Sequence, residues 1–192
     1  MTERKFILVT GNQRQGKSVW AKSYARTLER LLVSDPTMSY ANVDYQTSPD
    51  EWLENLIERR LEKFRFGTYY AEELPAFAYA SFAAGNCTLI IEECALIFRR
   101  GEELHDWAKP LVFMGGHSHV DLILIAQRAS NIPISIRSQA NRIVSFKQSE
   151  PADVDALADR IGKSIAETLP ALEKLNCVDW DGDTIRQYAV RP

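Results

Sequence analysis

The chain reads as an α/β protein: a mostly parallel sheet with helices on both faces, finished by a C-terminal β-hairpin. Three observations predict this class. Short continuous apolar runs recur at 6–10, 88–91, 120–126 and 143–146, the pattern of strands covered on both faces. Segments with apolar residues at helical spacing alternate with these runs, as crossovers between parallel strands require. The stretch 177–190 is split by Asp181-Gly182-Asp183, a hairpin turn signal. No repeat, low-complexity tract or linker marks a boundary. With 192 residues and 45% hydrophobic content, a single domain over 1–192 is expected.

The elements follow in order. Phe6-Ile7-Leu8-Val9-Thr10 is the first strand, and Gly11-Asn12-Gln13-Arg14-Gln15-Gly16-Lys17-Ser18 comes directly after it. The octapeptide fulfils G-x-x-x-x-G-K-[ST], and an apolar strand before it with an amphipathic segment after it gives the context the motif needs. Its glycines let backbone N–H groups curl around an anionic phosphate. Lys17 then reaches the β/γ-phosphates, Ser18 ligates Mg²⁺, and the next helix points its positive dipole end at the phosphates.

Apolar positions Trp20, Tyr24, Leu28, Leu31 and Leu32 predict that this helix runs over 19–32 and ends at Asp35-Pro36, with a second strand over 38–45. Ser48-Pro49-Asp50-Glu51 is a helix start with a capping box and proline at the first helical position. Trp52, Leu53, Leu56, Ile57, Leu61 and Phe64 form the buried side of that helix. A short strand is expected over 66–70 and an Ala-rich helix over 75–84, closed by Gly85. The strand at 88 runs into Glu92 and Glu93. A helix over 104–114 follows, with Pro110 a candidate kink and Gly115-Gly116 its stop. The strand over 120–126 ends at Gln127, and the strand over 143–146 leads to helices over 151–161, stopped by Gly162, and over 164–175.

Composition excludes several classes. A formal net charge of −3 argues against a generally basic nucleic-acid coat, though it leaves room for a local basic stripe. Cys87, Cys94 and Cys177 are odd in number and lack C-x-x-C spacing, so neither a disulfide framework nor a zinc ribbon is indicated, and a reduced cytosolic setting fits. The first residues run straight into a strand rather than forming a signal peptide, and no apolar stretch approaches the ~18 residues of a membrane span.

A phosphate loop binds nucleotide; hydrolysis also needs groups that hold Mg²⁺ and prepare water. Glu92 and Glu93 stand at the end of an apolar strand, where α/β sheets place their ligands. Successive strand residues face opposite sides, so the two carboxylates divide the work: Glu92 orients the Mg²⁺ shell and Glu93 polarises the attacking water. Gln127, ending the next apolar strand, suits contact with the γ-phosphate or that water. His117-Ser118-His119 has no third ligand at metal-site spacing and reads as surface structure, or as a DNA or intersubunit contact. Arg99 and Arg100, with Lys109, form a short basic region that could meet DNA phosphates.

The order of GNQRQGKS, TLIIEECALIF, a Gly-Gly-His-Ser-His segment, DLILIAQRASNI and SQANRIVSF resembles the FtsK–HerA superfamily of P-loop ATPases. Within it, the chain is similar to the small genome-packaging ATPases of internal-membrane phages and their zonula-occludens-toxin-like relatives. The resemblance covers roughly 6–162. Its phosphate loop is generic to P-loop proteins; the strand-terminal A-Q-R-x-S and the later A-N-R-I-V are more specific. The resemblance implies a RecA-like core, assembly into a hexameric ring, and ATP- and Mg²⁺-dependent translocation of double-stranded DNA. It implies that Arg142 reaches a neighbouring subunit's nucleotide as a finger in trans. It also implies a host-cytoplasmic or virion-associated protein docked to a capsid vertex or a membrane-associated partner. The family's acidic pair is usually Asp-Glu; Glu92-Glu93 departs from it, which leaves open which carboxylate faces Mg²⁺. Neither an added N-terminal barrel nor a C-terminal DNA-reading domain is seen, so DNA specificity is expected to come from elsewhere. The competing readings are a toxin-like extrusion ATPase, a small-molecule kinase without an identifiable Arg-rich lid, and a nucleotide-gated interaction module.

Overall fold

A computed structural model describes residues 4–191, apart from 46, 47, 49, 52, 55 and 57–61. The elements are β1 (Phe6–Thr10), α1 (Lys17–Ala25), β2 (Arg30–Ser34), β3 (Phe64–Thr68), α2 (Leu74–Ala84), β4 (Cys87–Ile91), α3 (Ala108–Met114) and β5 (Val120–Ala126). They continue with α4 (Ile134–Arg137), β6 (Arg142–Ser145), α5 (Pro151–Ile161), α6 (Lys163–Ala166), β7 (Asn176–Trp180) and β8 (Ile185–Ala189). The strands form one eight-stranded sheet in the order β3-β2-β4-β5-β1-β6-β7-β8. β2 pairs in parallel with both β3 and β4, and β1 with β6; the hairpin strands β7 and β8 are antiparallel. The mostly parallel α/β class and the terminal hairpin are as the apolar runs predict.

The chain separates into two compact units, each built from several segments. The first comprises Met1–Lys5, Tyr24–Glu92 and Glu103–Ile123. Its core centres on β2 and β4, where Leu31, Leu32, Val33, Leu89, Ile90 and Ile91 are fully buried. Each such side chain contributes about 1.5–3 kcal/mol relative to exposure. Two arginines tie its loops to backbone: Arg30 donates to the carbonyls of Ala84, Gly85 and Asn86, and Arg4 to those of Leu111, Val112 and Val120.

The second unit comprises Phe6–Ser23, Glu93–Glu102 and Leu124–Pro192. Ile7, Leu8 and Val9 of β1 register against Arg142, Ile143 and Val144 of β6. β6 in turn pairs with β7, Val144 opposite Asp179. The hairpin turn is held by Asp181, whose carboxylate accepts from the amide and hydroxyl of Thr184.

Phe64, expected on the helix that starts at Ser48, instead opens β3, and four further predicted elements differ from those observed. The helix expected over 19–32 stops at Ala25, and 30–34 is a strand. Leu28, Leu31 and Leu32 fit a helical period, but Leu31-Leu32-Val33 is also a continuous apolar run, and burial on both sheet faces decides for the strand. The strand expected over 38–45 is a turn: the buried Asp35 carboxylate collects the amides and hydroxyls of Thr37 and Ser39, and Asp44 retains only an isolated bridge to Phe66. The helix expected over 104–114 begins at Ala108, so Pro110 falls in its first turn, where a missing N–H matters little and no kink is needed. The helix expected over 164–175 is cut to Lys163–Ala166, with a separate 3-10 turn at Leu169–Ala171 containing Pro170. Ser48 caps the amide of Glu51 at 3.3 Å as predicted. The far side of that helix, with Trp52, Ile57 and Leu61, lies outside the described residues.

Candidate nucleotide-hydrolysis site

The octapeptide connects β1 to α1 within the second unit. Gly11 and Gly16 have φ of +147° and +127°, and a Cβ on either would lie 2.6 or 2.7 Å from Phe146. Two constraints therefore require glycine at both ends of the loop: backbone conformation, and Phe146, whose Cβ and backbone crowd Gly11 and whose ring crowds Gly16. Asn12 N–H donates to the Lys147 carbonyl at 2.8 Å and its side-chain amide to Ser149 Oγ at 2.8 Å, so the segment after β6 braces the loop. Lys17 is buried at the first position of α1, and its Nζ donates to the carbonyls of Gly11 at 2.7 Å and Asn12 at 3.0 Å. Ser18 is exposed at the second position.

This cradle fits phosphate and Mg²⁺. The loop cannot carry side chains where backbone must curl, its cation is held over its own mouth, and its hydroxyl opens outward. A cleft of about 290 Å³ is lined by Arg14, Gly16, Lys17, Ser18, Val19, Lys174 and Leu175.

Glu92 and Glu93 follow β4 and meet different partners. Glu92 is buried, and its Oε1 accepts from the hydroxyl of Tyr40 at 2.7 Å, within the first unit. Burial, followed by the charge of Glu92, raises the Tyr40 phenol well above its ordinary pKa, so it remains a donor. Glu93 adopts a left-handed backbone, φ 49° and ψ 38°, at the start of the 3-10 turn Cys94–Leu96. A non-glycine residue held there costs about 1 kcal/mol or more, and such strain concentrates at functional sites. Its Oε1 accepts from Gln127 Nε2 at 3.0 Å, within the second unit. The structure thus joins Glu93 to Gln127 and Glu92 to Tyr40.

Arg142 is engaged inside its own chain. Its Nε and Nη2 donate to the two oxygens of Asp179 at 2.8 and 2.6 Å, and its guanidinium lies over the Trp20 ring. Asp179 also accepts from the Tyr188 hydroxyl at 2.8 Å, and that oxygen accepts from Trp20 Nε1 at 3.0 Å. The forked pairing that the sequence resemblance directs at a neighbouring nucleotide is made here with a buried carboxylate. Of the basic residues, Arg99 is exposed beside Glu102 at 3.7 Å, whereas Lys109 is held by Glu103 and Asp106, whose hydrogen bonds raise its pKa to about 12. Among the described residues no group of three or more His, Cys, Asp or Glu side chains could hold a metal ion. No described helix is long and apolar enough to cross a membrane.

Solved structures place this arrangement. The genome packaging NTPase B204 from Sulfolobus turreted icosahedral virus 2, in complex with AMPPCP, superposes with a TM-score of 0.81 at 20% identity, over 100% of both chains. This chain has the P-loop NTPase fold of B204. The B204 fold also extends, more distantly, to two further structures. The N-terminal domain of zonular occludens toxin from Neisseria meningitidis matches with a TM-score of 0.53 at 10% identity, over 99% of this chain and 96% of that one. VirB4 of Thermoanaerobacter pseudethanolicus matches with a TM-score of 0.63 at 9% identity, over 97% and 89%. No protein-family model matches the sequence, and no curated protein matches it.

Several residues of the site escape sequence reasoning. Tyr40 has no local signal, because its partner Glu92 is distant in the chain. Asp179 could have been singled out as an acid inside the apolar run Cys177-Val178-Asp179-Trp180. Lys174 and Leu175 reach the cleft only because the predicted helix over 164–175 ends early.

Proposed function

We propose that this chain is a Mg²⁺-dependent ATPase that works as a ring, a genome-packaging motor that moves double-stranded DNA.

 The observation that carries this reading is the pairing of a glycine-closed phosphate loop, with Lys17 at its mouth, and a Glu93–Gln127 contact at the ends of β4 and β5. The first holds a triphosphate, and the second holds a carboxylate and an amide ready for water. What Mg²⁺ supplies when bound is neutralisation of the β/γ-phosphate charge; Ser18 and Glu92 are the side chains assigned to it. Lys17 orients the phosphates, Glu93 accepts a proton from the attacking water, and Gln127 keeps both Glu93 and that water in line. The likeness to B204, a genome packaging NTPase crystallised with AMPPCP, supports ATP as the substrate and packaging as the task.

Arg99 and Arg100, exposed on the loop after β4, are the residues assigned to DNA phosphates. Lys109 is left out, because two carboxylates already hold it. Arg142 works first within its own subunit, and a finger role in trans would require it to give up two charge-assisted hydrogen bonds to Asp179. A hexameric ring, a capsid or membrane docking partner, and a place in the host cytoplasm or the virion complete the proposal.

The test is ATP turnover with and without double-stranded DNA, with the mass in solution measured on the same sample. A ring whose turnover rises with DNA supports a translocase. Turnover that ignores DNA, from a monomer, would instead support a kinase-like or gating protein.

A further inference from the structure

The loop that follows β5 is pinned from three sides, and one of the pins is a buried charge. Asp153, in the first turn of α5, is fully buried. Its Oδ1 accepts from the Ser130 amide at 2.9 Å and its Oδ2 from Arg128 Nε at 3.1 Å. A buried carboxylate that loses its partners is strongly unfavourable, so opening this loop is opposed by the charge it would strand. Arg137 adds a second hold, donating from Nη1 to the carbonyls of Ala129 at 3.1 Å and Ile132 at 2.7 Å.

The third hold leads elsewhere. The Asn131 carbonyl accepts from the Arg100 amide at 3.0 Å. Segments 93–100 and 127–131 are therefore tied at two points: Gln127 to Glu93 at one end, and Asn131 to Arg100 at the other. Between them, Phe98 is buried and its amide donates to the Cys94 carbonyl at 2.8 Å, which makes the stretch a short stiff link rather than a slack loop.

We propose that Asp153 is a positioning residue for hydrolysis, fixing the 127–131 loop so that Gln127 meets Glu93, and that the Asn131–Arg100 contact carries that loop's position to the basic Arg99–Arg100 segment. The inference rests on the ATPase reading for its first half and on geometry alone for its second. Gln127 meets the Glu93 carboxylate at one oxygen, and any shift of Gln127 during turnover moves a loop that also holds the backbone of Arg100. Asp153 determines where that loop returns.

The experiment compares the full-length wild-type protein with Asp153→Ala and Asp153→Asn, using amide hydrogen exchange over 94–102 and 127–133, binding of ATPγS, and ATP turnover. Asp153→Ala is expected to speed exchange at both Ser130 and Arg100. It should also lower kcat about tenfold to a hundredfold, the effect of misplacing a reacting group by about an ångström, with ATPγS affinity held within about twofold. Asp153→Asn keeps an oxygen for the Ser130 amide and should recover most of both. If Asp153→Ala does not fold, Arg128→Ala, which changes an exposed partner of the same carboxylate, is expected to show a smaller change of the same kind. Faster exchange confined to Ser130, with Arg100 unchanged, overturns the relay. Unchanged kcat with both segments loosened overturns the positioning role. A wild-type protein that binds ATPγS without turning over ATP contradicts the ATPase reading instead, while exchange at Arg100 still decides the relay.

Discussion

The phosphate loop and the end of β4 both place polar groups at the close of a buried strand, but they hold them by different means. In the loop, the catalytic cation is held locally, Lys17 bonding to carbonyls within its own octapeptide, while the segment after β6 braces the backbone, Gly11 and Gly16 closing on Phe146. The carboxylates after β4 are held by residues far away in the chain, Glu92 by Tyr40 and Glu93 by Gln127. A motif whose cation is held by its own carbonyls fails first when its own residues change. A site assembled from distant partners can lose one function and keep another, and two adjacent glutamates can have separate tasks.

The largest effect that would sharpen this contrast is at Lys17. Lys17→Ala should weaken ATP binding roughly a hundredfold, the upper end for a charged hydrogen bond, while leaving thermal stability nearly unchanged. Titration with a fluorescent ATP analogue, alongside a thermal melt, checks both. A stability loss as large as the binding loss would mean that Lys17 serves the fold rather than the nucleotide.

Arg142 offers the opposite case. Arg142→Ala should lower stability by about 2–3 kcal/mol, less than for a fully buried pair because the Arg142 side chain is 27% exposed, since it strands the Asp179 carboxylate. Denaturant unfolding measures this. An unchanged midpoint with a large fall in turnover would return Arg142 to the trans-finger role.

The smallest expected effect concerns Asp35, which organises the turn carrying Tyr40. Burial alone would raise its pKa, but hydrogen bonds from Ser39 and Thr37 outweigh burial and hold it below 3.8. Its contribution to stability is therefore complete above pH 3.8 and disappears as pH falls through the lower folded value. Asp35→Asn should cost about 1 kcal/mol near neutral pH and flatten the acid limb of the stability curve. Unfolding series between neutral and acid pH test it, and an unaltered acid limb would remove Asp35 from the account.

The same contrast explains what was legible in the sequence. Continuous apolar runs report burial on both faces directly, so β5 and β6 stand where Val120 to Ala126 and Ile143 to Ser145 place them, and Pro151 and Gly162 bracket α5. The octapeptide is readable because its conformational demands fall on its own glycines. β2 was not readable as a strand, because Leu28, Leu31 and Leu32 satisfy a helical spacing and only tertiary burial distinguishes the two. The partners of Glu92, Arg142 and Asp153 were hidden for a related reason: Tyr40, Asp179 and Arg128 come beside them through tertiary folding, and no local spacing encodes that.

The central claim is that this is an ATPase in which Glu93 prepares water and Glu92 serves the metal side. Single-turnover hydrolysis by Glu93→Gln and Glu92→Gln, each loaded with Mg²⁺-ATP at saturating concentration, tests it most directly. The account predicts that Glu93→Gln binds ATP normally and hydrolyses it roughly a hundredfold to ten-thousandfold more slowly, as expected on loss of a general base. It predicts that Glu92→Gln requires more Mg²⁺ and recovers turnover as Mg²⁺ is raised. Normal hydrolysis by Glu93→Gln together with a Mg²⁺-independent loss in Glu92→Gln would contradict it.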